Sequence, residues 1–419
     1  MSSAKIHIIN LLKWIAICII AGMLIGSACA LFLSSLDFVT NWRASHSWII
    51  YSLPIVGFVI GATYYYFGGA VQKGNNLLLE QHNNPAAKIP FKLAPFVYIG
   101  TLLTHLAGGS AGREGTAVQM GGAIADQFTG IFKLNDIQRK TILIVGISAG
   151  FSAVFGTPIA GAIFALEIML FKNIRAADIL PSFAAAYIAH YTCLAWGVQH
   201  TIYTLPTIAH FNMHSLVPTF LAGLIFGTTA LFFSAANNFW SKLFVKIKYE
   251  PLRPFIGGII LVIVILLMGT TKSIDPSKFL GLGIPAITDS FLTPAGRYDF
   301  LIKLLLTTFT LSAGFKGGEV TPLFFIGATL GNILIIFIPL PMALLAAMGF
   351  VAVFAGATHC AVASIALGFE MFGTSAGIYI GLASVVAYFS SGSKGIYSAQ
   401  LKEGVKYQFY NYIKRISNL

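Results

Sequence analysis

The sequence predicts an all-α polytopic membrane protein built from two inverted-topology repeats, whose broken helices meet at a midplane anion site. Three observations carry this prediction. First, 57% of the 419 residues are hydrophobic and only 10% are charged, with a mean hydropathy of +0.81; a soluble domain carries about 25% charged residues. Second, apolar runs near the roughly 20 residues needed to span a bilayer cover 9–34, 48–69, 138–155, 215–236 and 255–270, while 90–107, 113–125, 320–338 and 361–390 are short or cut by Gly and Pro. Broken segments are tolerated at membrane depth only where they face protein or a polar cavity, as in transporter cores. Third, a glycine-framed glutamate occurs twice, as Glu114 in 108–122 and Glu319 in 312–329.

Taken in chain order, Lys5 and Lys13 accompany a first apolar run too long for a cleaved signal. The net charge of +12 resides largely in loops, at Lys73, Lys133, Arg139, Lys140, Lys172, Arg175, Lys242 to Arg253 and Lys394 to Arg415. That placement argues for membrane topology and against nucleic acid as a partner. The stretch 195–213 has no Lys or Arg, so the positive-inside rule puts both termini and 241–253 in the cytoplasm and 195–213 outside. The four cysteines (Cys18, Cys29, Cys193, Cys360) lie in apolar segments without metal-ligand spacing and read as small core residues. No metal, cofactor, HExxH, GxSxG or P-loop is expected, and no enzyme activity.

Next come Gly74-Asn75-Asn76-Leu77. An asparagine amide offers donors to an anion, and it can equally cap the following helix; either residue fits either role. At Gly112-Arg113-Glu114-Gly115-Thr116, glycines precede an apolar helical run, which leaves bare N–H groups and the positive helix end free to hold an anion. A carboxylate there can occupy the anion's own seat, and protonation releases it. A carboxyl group inside a membrane is costly and marks an ion or proton path.

The chain repeats itself. Gly109, Gly112, Glu114, Thr116, Gly122 and Ala123 recur 205 residues later as Gly314, Gly317, Glu319, Thr321, Gly327 and Ala328. Gly-Phe-Ser-Ala-Val-Phe (150–155) recurs as Gly-Phe-Val-Ala-Val-Phe (349–354), 199 residues on. One carboxylate follows each block, Glu167 and Glu370. The expected organisation is a single transmembrane domain, 1–419, with a first repeat over 10–195, a hinge, a second repeat over 215–390, and a cytoplasmic-side C-terminal helix in 391–419, without a regulatory domain. Glu319, like Glu114, opens a helix; it is either a second proton site or a first-turn acid neutralised by Lys316. Glu167 is expected in an ion pair with Lys172 and Arg175. His105 and His359 are expected as hydrogen-bonded core residues.

With these motifs in order, the sequence resembles the CLC family of chloride channels and anion/proton exchangers. The family's G-K/R-E-G-P signature corresponds to 112–116, its G-x-F-x-P signature to Gly318-Glu319-Val320-Thr321-Pro322, its G-S-G-I-P signature to 74–78, and its helix over 158–170 to AVFGTPIAGAIFALE (153–167). The departures are Thr116 for Pro, Asn75 for the anion-coordinating Ser, Glu319 in the second signature, and Ile168 where chloride/proton exchangers carry an inner proton-relay glutamate. They are similar to the bacterial fluoride branch. The resemblance implies a homodimeric transporter of the cell membrane that exports fluoride in exchange for protons, the alternative being a chloride-selective exchanger or passive channel. It implies Glu114 and Glu319 as gating and proton sites. Asn75 or Asn76, Thr116, Thr321 and the Tyr397 hydroxyl become anion contacts, and Gly112, Arg113, Gly115 and Gly318 supply backbone at the helix N-termini. The dimer contact is expected on the faces of 158–194 and 361–390, against lipid elsewhere.

Overall fold

The computed structural model describes residues 3–170, 175–206, 213–271 and 274–417. Helices account for its regular structure. The first, α1 (Ser3–Ser45), is 43 residues long, about 65 Å at 1.5 Å per residue, and continues well past the apolar run of the sequence. After it come α2 (Leu53–Phe67), α3 (Asn75–Asn83), α4 (Leu93–Leu106), α5 (Glu114–Ile131), α6 (Asp136–Phe155), α7 (Pro158–Leu170) and α8 (Ala176–Ala195). The second half contains α9 (Leu216–Val245), α10 (Leu252–Gly269), α11 (Ile284–Asp289), α12 (Asp299–Ala313), α13 (Val320–Ile333), α14 (Met342–Thr358) and α15 (Ala361–Ser390). The C-terminal helix is α16 (Val405–Ser417). α15 is interrupted at Gly373, whose φ of 75° and ψ of 178° lie outside helical space.

Six of these segments are long and apolar enough to cross a membrane. Others, among them α4, α7, α13 and α14, are apolar but shorter than a full span. α5, α13 and α14 are nonetheless almost wholly buried, which is what short helices at membrane depth require. Backbone-close packing makes this possible. The Cα of Gly121 lies against the Gly146 carbonyl, and that of Gly327 against the Gly349 carbonyl, so closely that a methyl group at either would overlap backbone.

Those paired contacts fix the relation between the halves and correct the sequence register twice. α5 begins at Glu114 and α13 at Val320, and the close glycines are 121 and 327; each pair is 206 apart. The 205-residue register is therefore one residue short, and Glu319 matches Arg113 in position. Farther on, the left-handed helix ends Gly156 and His359, the helix starts Pro158 and Ala361, and the carboxylates Glu167 and Glu370 are all 203 apart. The 199-residue register is four short. A slide of four residues is close to one helical turn and keeps the same Gly/Ala/Phe face, which is why the sequence blocks matched there.

Tyr66 at the end of α2 bonds Tyr249 in the basic α9–α10 loop (3.1 Å), and Lys92 donates to the Phe67 carbonyl (2.7 Å).

Candidate functional site

The N-termini of α5 and α13, one from each repeat, converge. Their preceding loops pair as an antiparallel bridge, with Gly112 N–H donating to Gly318 O (2.6 Å) and Gly318 N–H to Gly112 O (2.8 Å). A side chain at Gly112 would collide with Pro322 and the Gly318 carbonyl, so the pairing demands glycine.

This arrangement seats the Glu114 carboxylate on the opposite helix. Thr321 donates its N–H (3.0 Å) and its hydroxyl, which lies 2.7 and 2.6 Å from the two carboxylate oxygens. Arg113 adds its N–H (3.3 Å) and sets its Nε 3.8 Å from Oε1. Glu114 is 1% exposed. A negative group thus sits at the positive end of α13, held by short donors, where any small anion would also be stabilised.

Glu319 is the residue that precedes α13, with φ −93° and ψ −18°. Its Oε2 is buried and without a hydrogen-bond partner. Beside it, a methyl group placed on Gly115 would lie 3.7 Å from that oxygen and 3.2 Å from Asn75 Nδ2. The bare Gly115 therefore brings the Asn75 amide and the Glu319 carboxyl to one place. Asn75 Oδ1 is likewise buried and unpartnered, and unpaired polar groups at such a cost mark a site that binds something polar. Lys316 does not pair with Glu319: its ammonium lies 4.0 Å from the centre of the Tyr64 ring, and no ion pair links the two among the described residues.

The other expected site residues divide. Asn76 spends its carbonyl on the Ala399 N–H (3.0 Å), so the second asparagine ties α3 to the C-terminal segment. Thr116 is buried against Thr101 of α4, hydroxyl to hydroxyl at 2.7 Å. Tyr397 is buried and lines a cavity of about 150 Å³ together with Asn75, Gln119, Lys316 and Glu319. Gln119 was not singled out in the sequence; its amide lies beside Gly74. His105 sets both ring nitrogens against backbone carbonyls, of Thr101 (2.9 Å) and Ala111 (3.1 Å), as expected of a core histidine. His359 bonds the Tyr407 hydroxyl (2.9 Å).

Glu167 requires a correction. Lys172 lies outside the described residues, and Arg175 pairs with Asp178 (2.6 Å). Glu167 instead accepts the N–H groups of Val362 (3.0 Å) and Ala363 (2.7 Å) at the start of α15. The buried start of that helix needed an acceptor, and a local carboxylate–cation pair could not supply it. Among the described residues, no three His, Cys, Asp or Glu side chains cluster as metal ligands.

A profile of the family described as voltage gated chloride channel matches residues 57–392. The chain belongs to this family. It is 46% identical over 392 residues to the "Chloride/fluoride channel protein" of Pseudomonas syringae pv. tomato, across 93% of this chain and 86% of that one. Among solved structures, a CLC-type fluoride/proton antiporter superposes with a TM-score of 0.89 at 35% identity, covering 94% of this chain and 98% of the other. A slow cyanobacterial Cl⁻/H⁺ antiporter shares the fold, with a TM-score of 0.79 at 21% identity. The chain is thus an integral, multi-pass protein with the CLC fold, and the bridge between 112 and 318 lies where its two repeats meet.

Proposed function

We propose that this protein is a secondary active transporter that exports fluoride across the cell membrane in exchange for protons, working as a homodimer with both termini in the cytoplasm. The observation that carries the proposal is the Glu114 carboxylate bound to the Thr321 N–H and hydroxyl. A carboxylate and a small anion compete for these donors. Protonated, Glu114 loses the charge that holds it there and yields the seat; deprotonated, it returns and displaces the anion. Each cycle thereby exchanges an anion for a proton. The relatives named for fluoride support the choice of ion.

Fluoride also suits the donors. It is small and hard, loses much hydration energy on entry, and needs close hydrogen-bond donors in return. The Thr321 hydroxyl and Asn75 amide are such donors, and the unpartnered Glu319 oxygen is a proton acceptor beside them. Hydrogen fluoride is a weak, neutral acid that enters cells from acidic surroundings and ionises inside, and an inward proton gradient drives the anion out again.

The test is purified protein in liposomes, with fluoride and chloride efflux and internal pH followed together. The expected result is fluoride efflux faster than chloride efflux, with protons moving in as fluoride leaves. Fluoride efflux without proton movement would overturn exchange in favour of a passive pathway, and equal rates for the two anions would overturn the choice of fluoride.

A further inference from the structure

Protons have to reach Glu319 from one face of the membrane, and the structure offers two directions. Toward the end of α7, the space between Asn75 and Tyr397 and the helix is closed by Leu78, Phe164, Ile168 and Met169, leaving a gap of only about 10 Å³. A water needs roughly 10–15 Å³ and two or more polar partners, so this gap is a constriction; beyond it Ile168 and Met169 also wall a cavity of about 370 Å³ that reaches Glu167 and His359. The other direction is wider at Glu319 itself. The 150 Å³ cavity that holds Glu319 backs onto a second of about 170 Å³, and the two share Tyr64, Gln72 and Lys316 as walls. The second opens at Glu250 and Arg253, which form a surface pair at 3.2 Å with side chains 36% and 22% exposed.

Resting on the fluoride/proton exchange proposed above, we infer that protons travel between the cytoplasm and Glu319 through these two chambers, with Glu250 as the collecting carboxylate at the mouth. The dividing wall is thin and made of side chains. Gln72 is held by its amide on the Tyr64 carbonyl (2.9 Å). The Lys316 ammonium rests on the Tyr64 ring at the end of a flexible four-carbon stem. The chambers meet at these three shared residues, and the proposed route crosses there by movement of the lysine head.

The two chambers have separate mouths. The ionisable walls of the outer chamber are Glu250, Arg253, Lys316, Tyr64 and Tyr65. The Glu319 cavity has its own mouth at Lys73, whose side chain is 55% exposed and paired with Glu80 at 2.6 Å, beside Gly74 and Asn75. Fluoride entering from the cytoplasm and protons leaving to it use separate mouths, beside Lys73 and beside Glu250. As fluoride leaves, the proton passes from Glu114 to the Glu319 carboxylate and through the chambers to the Glu250 carboxylate, which releases it to the cytoplasm; each carboxylate gives up its proton before it takes the next, so charge balances at every step.

The experiment compares wild type, Glu250→Gln and Gln72→Leu in liposomes, reading fluoride-driven proton flux against internal pH, with fluoride binding to the purified proteins measured by calorimetry. Glu250 lies at the surface, away from the anion seat, so its amide should fold and bind fluoride as wild type does. Loss of a positioned proton carrier costs about tenfold or more in rate. Glu250→Gln is expected to lose about that much proton flux at neutral internal pH and to recover as internal pH rises, because bulk base then takes the proton in its place. Gln72→Leu, which dries the wall, is expected to lose flux without recovery. Wild-type flux and pH profile in both variants, with wild-type exchange intact, would overturn the route alone. Absence of proton uptake by wild type would overturn the exchange reading, and the route with it.

Discussion

At the scale of the residue, the proposed exchange rests on the Glu114–Thr321 contact, through which anion occupancy and protonation would be tied. Hydrogen bonds to a charged group contribute about 1.5–3 kcal/mol each, and Glu114 receives several within 3.3 Å. Glu114→Gln keeps the shape and removes the charge, so an anion meets a weaker competitor. The expected outcome is loss of fluoride-driven proton uptake together with fluoride binding about tenfold tighter, equivalent to 1.4 kcal/mol. Vesicle pH measurements and calorimetry check the two halves; proton-coupled exchange at the wild-type rate would sink the role given to Glu114. Both partners were legible in the sequence, one as a glycine-framed acid and the other as a hydroxyl in the second motif. Their bond was not, because nothing local reports a contact across 207 residues. Asn76 and Thr116 illustrate the converse. Their residue type suited an anion, yet Asn76 Oδ1 and the Thr116 hydroxyl meet partners on other segments, Ala399 and Thr101.

At the scale of the element, α16 was expected as a cytoplasmic-side helix, and what docks it was hidden until its neighbours were placed. Tyr410 donates to the Phe389 carbonyl (2.6 Å), Tyr407 meets His359 (2.9 Å), and Lys406 donates to Ser391 (2.8 Å) above the Tyr388 ring. Burial lowers the Lys406 pKa from 10.5 to about 7. An undocked lysine keeps its proton to about 10.4. Between these limits the undocked helix binds more protons than the docked one, so docking strengthens as pH rises from about 7 to about 10.5 and is weakest below 7. A pair of spin labels on α16 and the α9–α10 loop should therefore give a broader distance distribution at pH 6 than at pH 9. Lys406→Met should narrow the pH 6 distribution and flatten the pH dependence; a distribution unchanged between the two pH values in the wild type would refute the linkage.

At the scale of the whole molecule, the two repeats hold each other by exchanged carboxylates. Glu167, near the end of α7, accepts N–H groups from Val362 and Ala363 at the start of α15; Glu370, in α15, accepts those of Ile159 (3.0 Å) and Ala160 (2.8 Å) at the start of α7. Every partner in one set lies 203 residues from its counterpart. α7 and α15 thus run antiparallel, each satisfying the other's unbonded helix start, and each acid lies at a positive helix end. The sequence showed the two glutamates and their matching helices. It could not show the exchange, since a run of apolar residues with one acid looks the same whether the acid pairs with a nearby cation or caps a distant helix. The two are not equal in cost: Glu167 is 4% exposed, while Glu370 is half-buried at the surface. Replacing the buried cap removes an acceptor from the N–H groups of Val362 and Ala363, the second of which is buried. Glu167→Gln is expected to cost about 1–3 kcal/mol, and Glu370→Gln about 1 kcal/mol or less, because solvent can compensate there. Both caps bind one helix pair, so the double variant should depart from additivity by about 0.5 kcal/mol or more. Thermal unfolding in detergent, followed by near-ultraviolet circular dichroism, measures all three. The same variants decide what Glu167 is for. A capping glutamate, once removed, lowers the unfolding temperature and leaves the proton flux per folded molecule near wild type. A proton carrier does the reverse, and a Glu167→Gln protein of unchanged stability but without proton flux would redirect the route from Glu250 to the α7 side.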